Sequence, residues 1–173
     1  MLEGSRRTEA LLRCKSIIQF GSFNANTLRS EYKAAECEQQ RYNAGIEILG
    51  IQEHRIVLPD QNNIEFRSLG SSFFIISSAW RNELQASQGG VGLLIGAKSK
   101  KALLDAKRIS PRILRVDFDG NPKSTVVVIY SPTNCAIESE VEKFYEDLRN
   151  TLQDVPLTKF SHSTWRLQCQ NWS

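Results

Sequence analysis

Apolar residues fall in short runs along the chain, and the spacing between runs changes character partway. Ile17, Ile18, Phe20 and Phe23 mark 15–23 as a strand that leads into small polar residues. Thr27 is placed to cap the next segment, 28–42, whose Glu, Ala, Lys, Gln and Arg content predicts a helix stopped by Asn43-Ala44-Gly45. Residues 46–51 are apolar except for Glu47, the pattern of a strand buried on both faces. Strand, helix, strand in this order predicts a layered α/β arrangement with two neighbouring strands ending at one sheet edge. From there the pattern is strands without helices of convincing length, at 65–69, 72–78, 90–96, 113–118 and 125–130, paired antiparallel. Asp119-Gly120-Asn121-Pro122 is a hairpin turn joining the last two. An amphipathic helix follows over 138–152, with Val141, Phe144, Tyr145, Leu148 and Leu152 on one face, and Pro156 ends it.

Composition narrows this picture. A chain of 173 residues, 40% hydrophobic and 24% charged, suits one globular domain able to bury about 70% of its unfolded surface. A net charge of +3 permits a nucleic-acid partner without requiring one. No apolar run approaches the roughly 18 residues of a membrane span. The start lacks the apolar core of a secretory signal, so the expected location is intracellular, nucleus or cytoplasm. Cys14, Cys37, Cys135 and Cys169 form no C-x-x-C pair, and His54 and His162 are isolated. That argues for reduced thiols rather than a zinc site or a disulfide framework, and for His54 as a surface residue.

Three constellations stand at strand ends: Ser22 to Leu28, Ile48 to Arg55 and Ile129 to Asn134. Any one alone is an ordinary strand terminus meeting water. In this order they resemble the endonuclease/exonuclease/phosphatase superfamily, and within it the apurinic-type endonuclease domain of non-LTR retrotransposons and craniofacial-development-protein-2-like sequences. Phe23 to Leu28 matches W/F-N-x-x-T-L, Ile48 to Arg55 matches I-L-G-[IL]-x-E-x-R, Gly90 to Leu93 matches a G-V-G-L strand, and Tyr130 to Asn134 matches Y-x-P-T-N. The matches span roughly 15–156.

The resemblance implies an α/β (α+β) fold, the N-terminal half of a four-layered α/β/β/α sandwich with mixed sheets. It implies Mg²⁺-dependent (or Mn²⁺-dependent) phosphodiester hydrolysis that nicks DNA. Glu53 would be the metal carboxylate, Asn24 the amide contributor and Tyr130 the residue reaching the scissile phosphate. Asn134 would position a neighbouring group, with Thr133 or Asn134 in the place of the family asparagine, and Gln52 would support Glu53. The chemistry is reasonable for Mg²⁺, which takes few oxygen ligands from protein and keeps several waters. Gly89-Gly90-Val91-Gly92 lacks the G-K-[ST] ending of a phosphate loop and reads as tight strand packing. The basic residues Lys98, Lys100, Lys101, Lys107, Arg108, Arg112 and Arg115 either contact a nucleic-acid backbone or belong to a solvated loop.

The resemblance also implies motifs that this sequence does not carry. The family continues with G-D-[FL]-N, whose Asp orients or deprotonates the attacking water, and with a terminal Asp-His pair. Residues 164–173 instead hold two tryptophans and no periodicity. Read one base later, permitted codons for 164–173 spell Leu-Gly-Asp-Phe-Asn-Ala-Lys-Ile-Gly, which suggests a frameshift near 157–161. The expected organisation is therefore an extension over 1–14, a partial domain over 15–157 and an aberrant tail over 158–173. An incomplete site, an uncovered sheet face and marginal folding follow as expectations. A non-catalytic nucleic-acid or protein binding module, and a hydrolase of phosphomonoesters or phospholipid headgroups, are the rival functions.

Overall fold

The computed structural model describes residues 18–134 and 136–155. The extension, the whole of the proposed tail and Cys14, Cys135, His162 and Cys169 lie outside the described residues. Element order is β1 (Phe20–Asn24), α1 (Glu31–Asn43), β2 (Ile48–Gln52), β3 (Ile64–Leu69), β4 (Ser72–Ser77), β5 (Trp80–Arg81), β6 (Ser87–Gln88), β7 (Val91–Ile95), α2 (Ala97–Ala102), β8 (Leu103–Ser110), β9 (Ile113–Phe118), β10 (Ser124–Ile129) and α3 (Glu138–Gln153).

Two sheets stack face to face. The larger runs β1-β2-β7-β4-β3 and the smaller β10-β9-β8, with β5 and β6 as a separate ribbon. β1 and β2 are parallel, Phe23 opposite Ile51 and Asn24 opposite Gln52, and the remaining pairs of both sheets are antiparallel. The apolar runs are continuous because the larger sheet is covered twice. Ile48, Ile75, Val91, Leu93 and Ile95 point toward the smaller sheet, where Leu114, Val116, Phe118 and Val128 meet them. Leu49, Ile51, Phe74, Ile76 and Leu94 point the other way, toward Leu28, Leu58 and Cys37 of α1. Side chains of alternating sense along each strand build both cores. α3 covers the outer face of β8 and β9 and buries Phe144, completing an α/β/β/α order of layers.

The structure corrects several expectations. α1 is capped by Ser30, not Thr27: Ser30 has extended backbone and its Oγ accepts from the Lys33 amide. The Leu28 amide donates instead to the His54 carbonyl, so 28–30 serve as a tie to the end of β2. The centre of the larger sheet is covered by β8–β10, with Val91, Leu93 and Ile95 fully buried, while Phe66 on the edge strand β3 stays half exposed. The basic stretch is α2, β8 and β9 rather than a loop. Lys100 sits over the Phe73 ring, Lys107 pairs with Asp105 and Arg115 with Asp117, so much of its charge is locally engaged. His54 is not a surface residue; it is completely buried.

Candidate active site at the ends of two parallel strands

Parallel pairing of β1 and β2 brings their C-terminal ends side by side, and the residues after each strand carry the polar groups. Nδ2 of Asn24 donates to Oε1 of Glu53 at 2.7 Å. Oδ1 of Asn24 accepts from the Asn26 amide at 3.1 Å, which fixes the amide orientation. Arg55 closes the other side, donating to Oε2 of Glu53 at 3.1 Å and to Oδ1 of Asn26 at 2.8 Å. Beneath them Ser22 and Gln52 hydrogen bond across the same two strands.

The backbone at this edge is unusual. Glu53 and Arg55 have φ of +55° and +56°, and Asn26 has +45°. Left-handed backbone at residues other than glycine costs energy and persists where surroundings enforce it. Here the surroundings are visible. The Arg55 amide donates to the Gly89 carbonyl, the Ala25 amide to the Gln52 carbonyl and the Leu28 amide to the His54 carbonyl. The turn drives His54 inward, and that burial lets Glu53 and Arg55 face outward.

His54 is the peg of the turn. Nε2 lies 3.0 Å from the Ser77 carbonyl and 3.1 Å from the Val91 carbonyl, both acceptors, so it carries the proton. Nδ1 accepts from the Ile56 amide at 3.0 Å. Both nitrogens are satisfied only by the neutral ring. Burial lowers its pKa to about 4 against the partial opposition of the two carbonyls.

Tyr130 comes from the other sheet. It follows β10, its amide donates to the Arg112 carbonyl, and its phenol stands beside the Glu53 carboxylate. Burial and the Glu53 carboxylate raise the phenol above its usual value. Burial would also raise the Glu53 carboxyl, but hydrogen bonds from Asn24, Arg55 and Tyr130, with the Arg55 charge, outweigh it and leave the net shift downward. Glu53 is therefore an anion at neutral pH. Asn134 and Thr133 lie exposed in the loop after Tyr130, and no side-chain hydrogen bond among the described residues joins either to the group. Sequence reasoning missed Arg55 as a partner of Glu53, although the R of the matched motif was its signal.

One ionised carboxylate, already accepting from Asn24 and Arg55 and with Tyr130 beside it, fits a divalent ion that keeps most of its waters. The Asn24 carbonyl also retains a lone pair beyond the Asn26 bond. Among the described residues no group of three His, Cys, Asp or Glu gathers into a metal cage. Arg55 competes for the same carboxylate oxygens, so a cation has to share or displace it.

The layered fold, with a carboxylate at the C-terminal end of its second strand, is that of the endonuclease/exonuclease/phosphatase superfamily. Among curated proteins, craniofacial development protein 2 of Bos taurus is 30% identical over 151 residues, and that of Tragulus javanicus 28%. Each match takes in 86% of this chain and 24% of the relative, so the chain spans about a quarter of the length of these relatives. Solved structures show the same fold. The 3' phosphatase NExo from Neisseria, bound to a product DNA hairpin, superposes with TM-score 0.56 at 13% identity, over 80% of this chain and 52% of that one. The AP endonuclease LMAP from Leishmania major gives 0.57 at 12%, over 79% and 47%. No family model matches the chain. Among the described residues no helix is long and apolar enough to cross a membrane.

Proposed function

We propose that this chain is the metal-holding part of a Mg²⁺-dependent phosphodiester-hydrolysing endonuclease domain of retrotransposon type, acting on DNA, and that by itself it binds the ion weakly and does not hydrolyse. The observation that carries the reading is the Asn24–Glu53 contact at 2.7 Å with Tyr130 closing on the same carboxylate. Glu53 would hold Mg²⁺ (or Mn²⁺), with Asn24 keeping the carboxylate turned toward the cation. Such an ion polarises a phosphate oxygen and stabilises a leaving alkoxide. Tyr130 would donate its hydroxyl to the phosphate, a role favoured by a raised pKa that keeps the proton on the phenol. Asn134 would hold a neighbouring oxygen of the substrate.

Hydrolysis also requires a group to position and deprotonate water. Glu53 is engaged with the cation's side of the reaction, and His54, the imidazole among the described residues, is buried with both nitrogens committed. This supports the view that the residues present bind rather than cut. The test is Mn²⁺ binding followed by electron paramagnetic resonance, alongside supercoiled plasmid incubated with Mg²⁺. The expected result is weak Mn²⁺ binding lost in Glu53→Gln, and no nicking. Nicking that disappears in Glu53→Gln would overturn the loss of activity. Mn²⁺ binding indifferent to that substitution would overturn the metal assignment.

A further inference from the structure

The smaller sheet ends on an unguarded strand. β10 pairs with β9 on one side, and among the described residues no strand pairs with its other side. The phase of the ladder shows which backbone groups are left over. The Tyr130 amide donates to the Arg112 carbonyl, so Val128, Val126 and Ser124, at every second position, also turn their backbone groups toward β9. Thr125, Val127 and Ile129 turn theirs to the open edge, where no backbone partner meets them among the described residues.

The side chains follow the same alternation. Val126, Val128 and Tyr130 pack into the core between the sheets, which puts Thr125, Val127 and Ile129 on the outer face. α3 packs on that face over β8 and β9, and Ile129 stays 40% exposed while Thr125 and Val127 are half-buried. The other sheet edges are blunted. β8 has two bulges and carries Asp105, Lys107 and Arg108, β3 carries the Glu65–Arg67 pair, and β1 has Gly21 and Ser22 in its middle. Charge, bulges and glycine all discourage strand addition. The β10 sequence, Ser-Thr-Val-Val-Val-Ile, contains none of them.

We propose that β10 is a self-association edge, where a second copy of this chain pairs antiparallel about a two-fold axis at Val127 and joins the two small sheets into one. A strand paired with itself closes on a two-fold, so a single surface serves both partners. In this register Val127 faces Val127 and Thr125 faces Ile129, and each outward amide and carbonyl of these residues gains a partner. β-Branched side chains opposite one another stabilise such a ladder. No charged residue lies within the paired stretch, and the acidic helix α3 sits over β8 and β9, on the side of the sheet away from the axis. The association requires neither the metal nor the Glu53 assignment.

The experiment uses the full chain in sedimentation equilibrium at low and high micromolar concentration, with amide deuterium exchange at both. The expected result is a monomer–dimer equilibrium in which Thr125, Val127 and Ile129 are protected only at the high concentration. Val126 and Val128, bonded to β9, should be protected at both. Val127→Pro removes the central hydrogen bonds of the new ladder but none to β9, and should weaken the dimer at least about tenfold. Val127→Lys sets like charges against each other at the axis and should weaken it too, with added salt restoring part of the loss. Arg67→Gln, on the blunted edge of β3, should change nothing. Circular dichroism checks that each variant is folded, and the exchange pattern of the native chain decides the matter even where a variant is not. A native chain that stays monomeric, a dimer indifferent to both Val127 substitutions, or association that runs on past the dimer overturns the proposal. Protection of Thr125, Val127 and Ile129 that does not depend on concentration also overturns it, because a segment of the same chain would then cover the edge.

Discussion

His54 occupies the space that any side chain at position 90 would need: a Cβ added to Gly90 would lie 2.5 Å from Cε1 of the imidazole and 2.8 Å from Nε2. Gly90 also has φ of +87°, which L side chains rarely adopt. Gly90→Ala combines steric overlap with backbone strain and should destabilise the fold by about 2–4 kcal/mol. Urea unfolding measures this, and the residual folded protein should bind Mn²⁺ more weakly because the displaced peg releases the Glu53 turn.

Acid should act on the same peg. The folded state holds His54 at a pKa of about 4, below the 6.5 of the free side chain, so its stabilising effect is complete above pH 6.5 and is lost as pH falls from 6.5 to about 4. The unfolded chain takes up the proton across that window and the folded chain does not. The gap is worth about 3 kcal/mol. Unfolding free energies at pH 7 and pH 4.5 should show most of that loss, and an NMR titration of the His54 ring should show no protonation above pH 5.

Asn24→Ala removes a hydrogen bond that lowers the Glu53 carboxyl. In the native chain Glu53 stays ionised until pH falls through its depressed value, and its stabilising contribution disappears on the same descent. The variant should lose Mn²⁺ affinity several-fold at pH 7, and the acid limb of its binding curve should move to higher pH. An unmoved acid limb would mean that Asn24 does not govern the carboxylate.

Arg41 anchors the end of α1 from within. It is buried at 5% exposure, donates to the Ile46 carbonyl, bonds to Ser72 at 2.6 Å and lies 3.8 Å from Glu38. Arg41→Ala takes its donors from the Ile46 carbonyl and the buried Ser72 and leaves Glu38 without its cation, which should cost about 3 kcal/mol in urea unfolding. Tyr32→Ala, on the exposed face of the same helix, should cost well under 1 kcal/mol.

Much of this fold could be read from residues alone, for a physical reason. β2, β4 and β7 are buried on both faces, so their apolar runs are uninterrupted, and β9 was expected at its observed bounds, Ile113–Phe118. β8 escaped notice because bulges near Leu103/Asp105 and Arg108/Ser110 break the alternation that marks a strand. α2 escaped because six residues with three lysines carry no period, and its first turn leans on the distant Glu47 carboxylate, which accepts from the Ser99 amide. At the site, Asn24, Glu53 and Tyr130 were nameable from strand-end motifs. The inward turn of His54 was not, since it depends on Gly90, 36 positions later and just before β7, a neighbour only in space. Trp80 is tied to the same edge through Gly89, again a long-range relation.

The two halves of the candidate site differ in how firmly they are rooted. Among the described residues β1 has β2 as its one neighbour in the sheet, whereas β2 is held on both sides. A local opening that peels β1 would carry Asn24 away from Glu53 while the remaining strands stay closed. Deuterium uptake should therefore begin at the amides of 22–25 before β2 or β7 exchanges. Any cation that bridges the strand ends would slow that uptake, turning the outermost ladder into a gauge of occupancy.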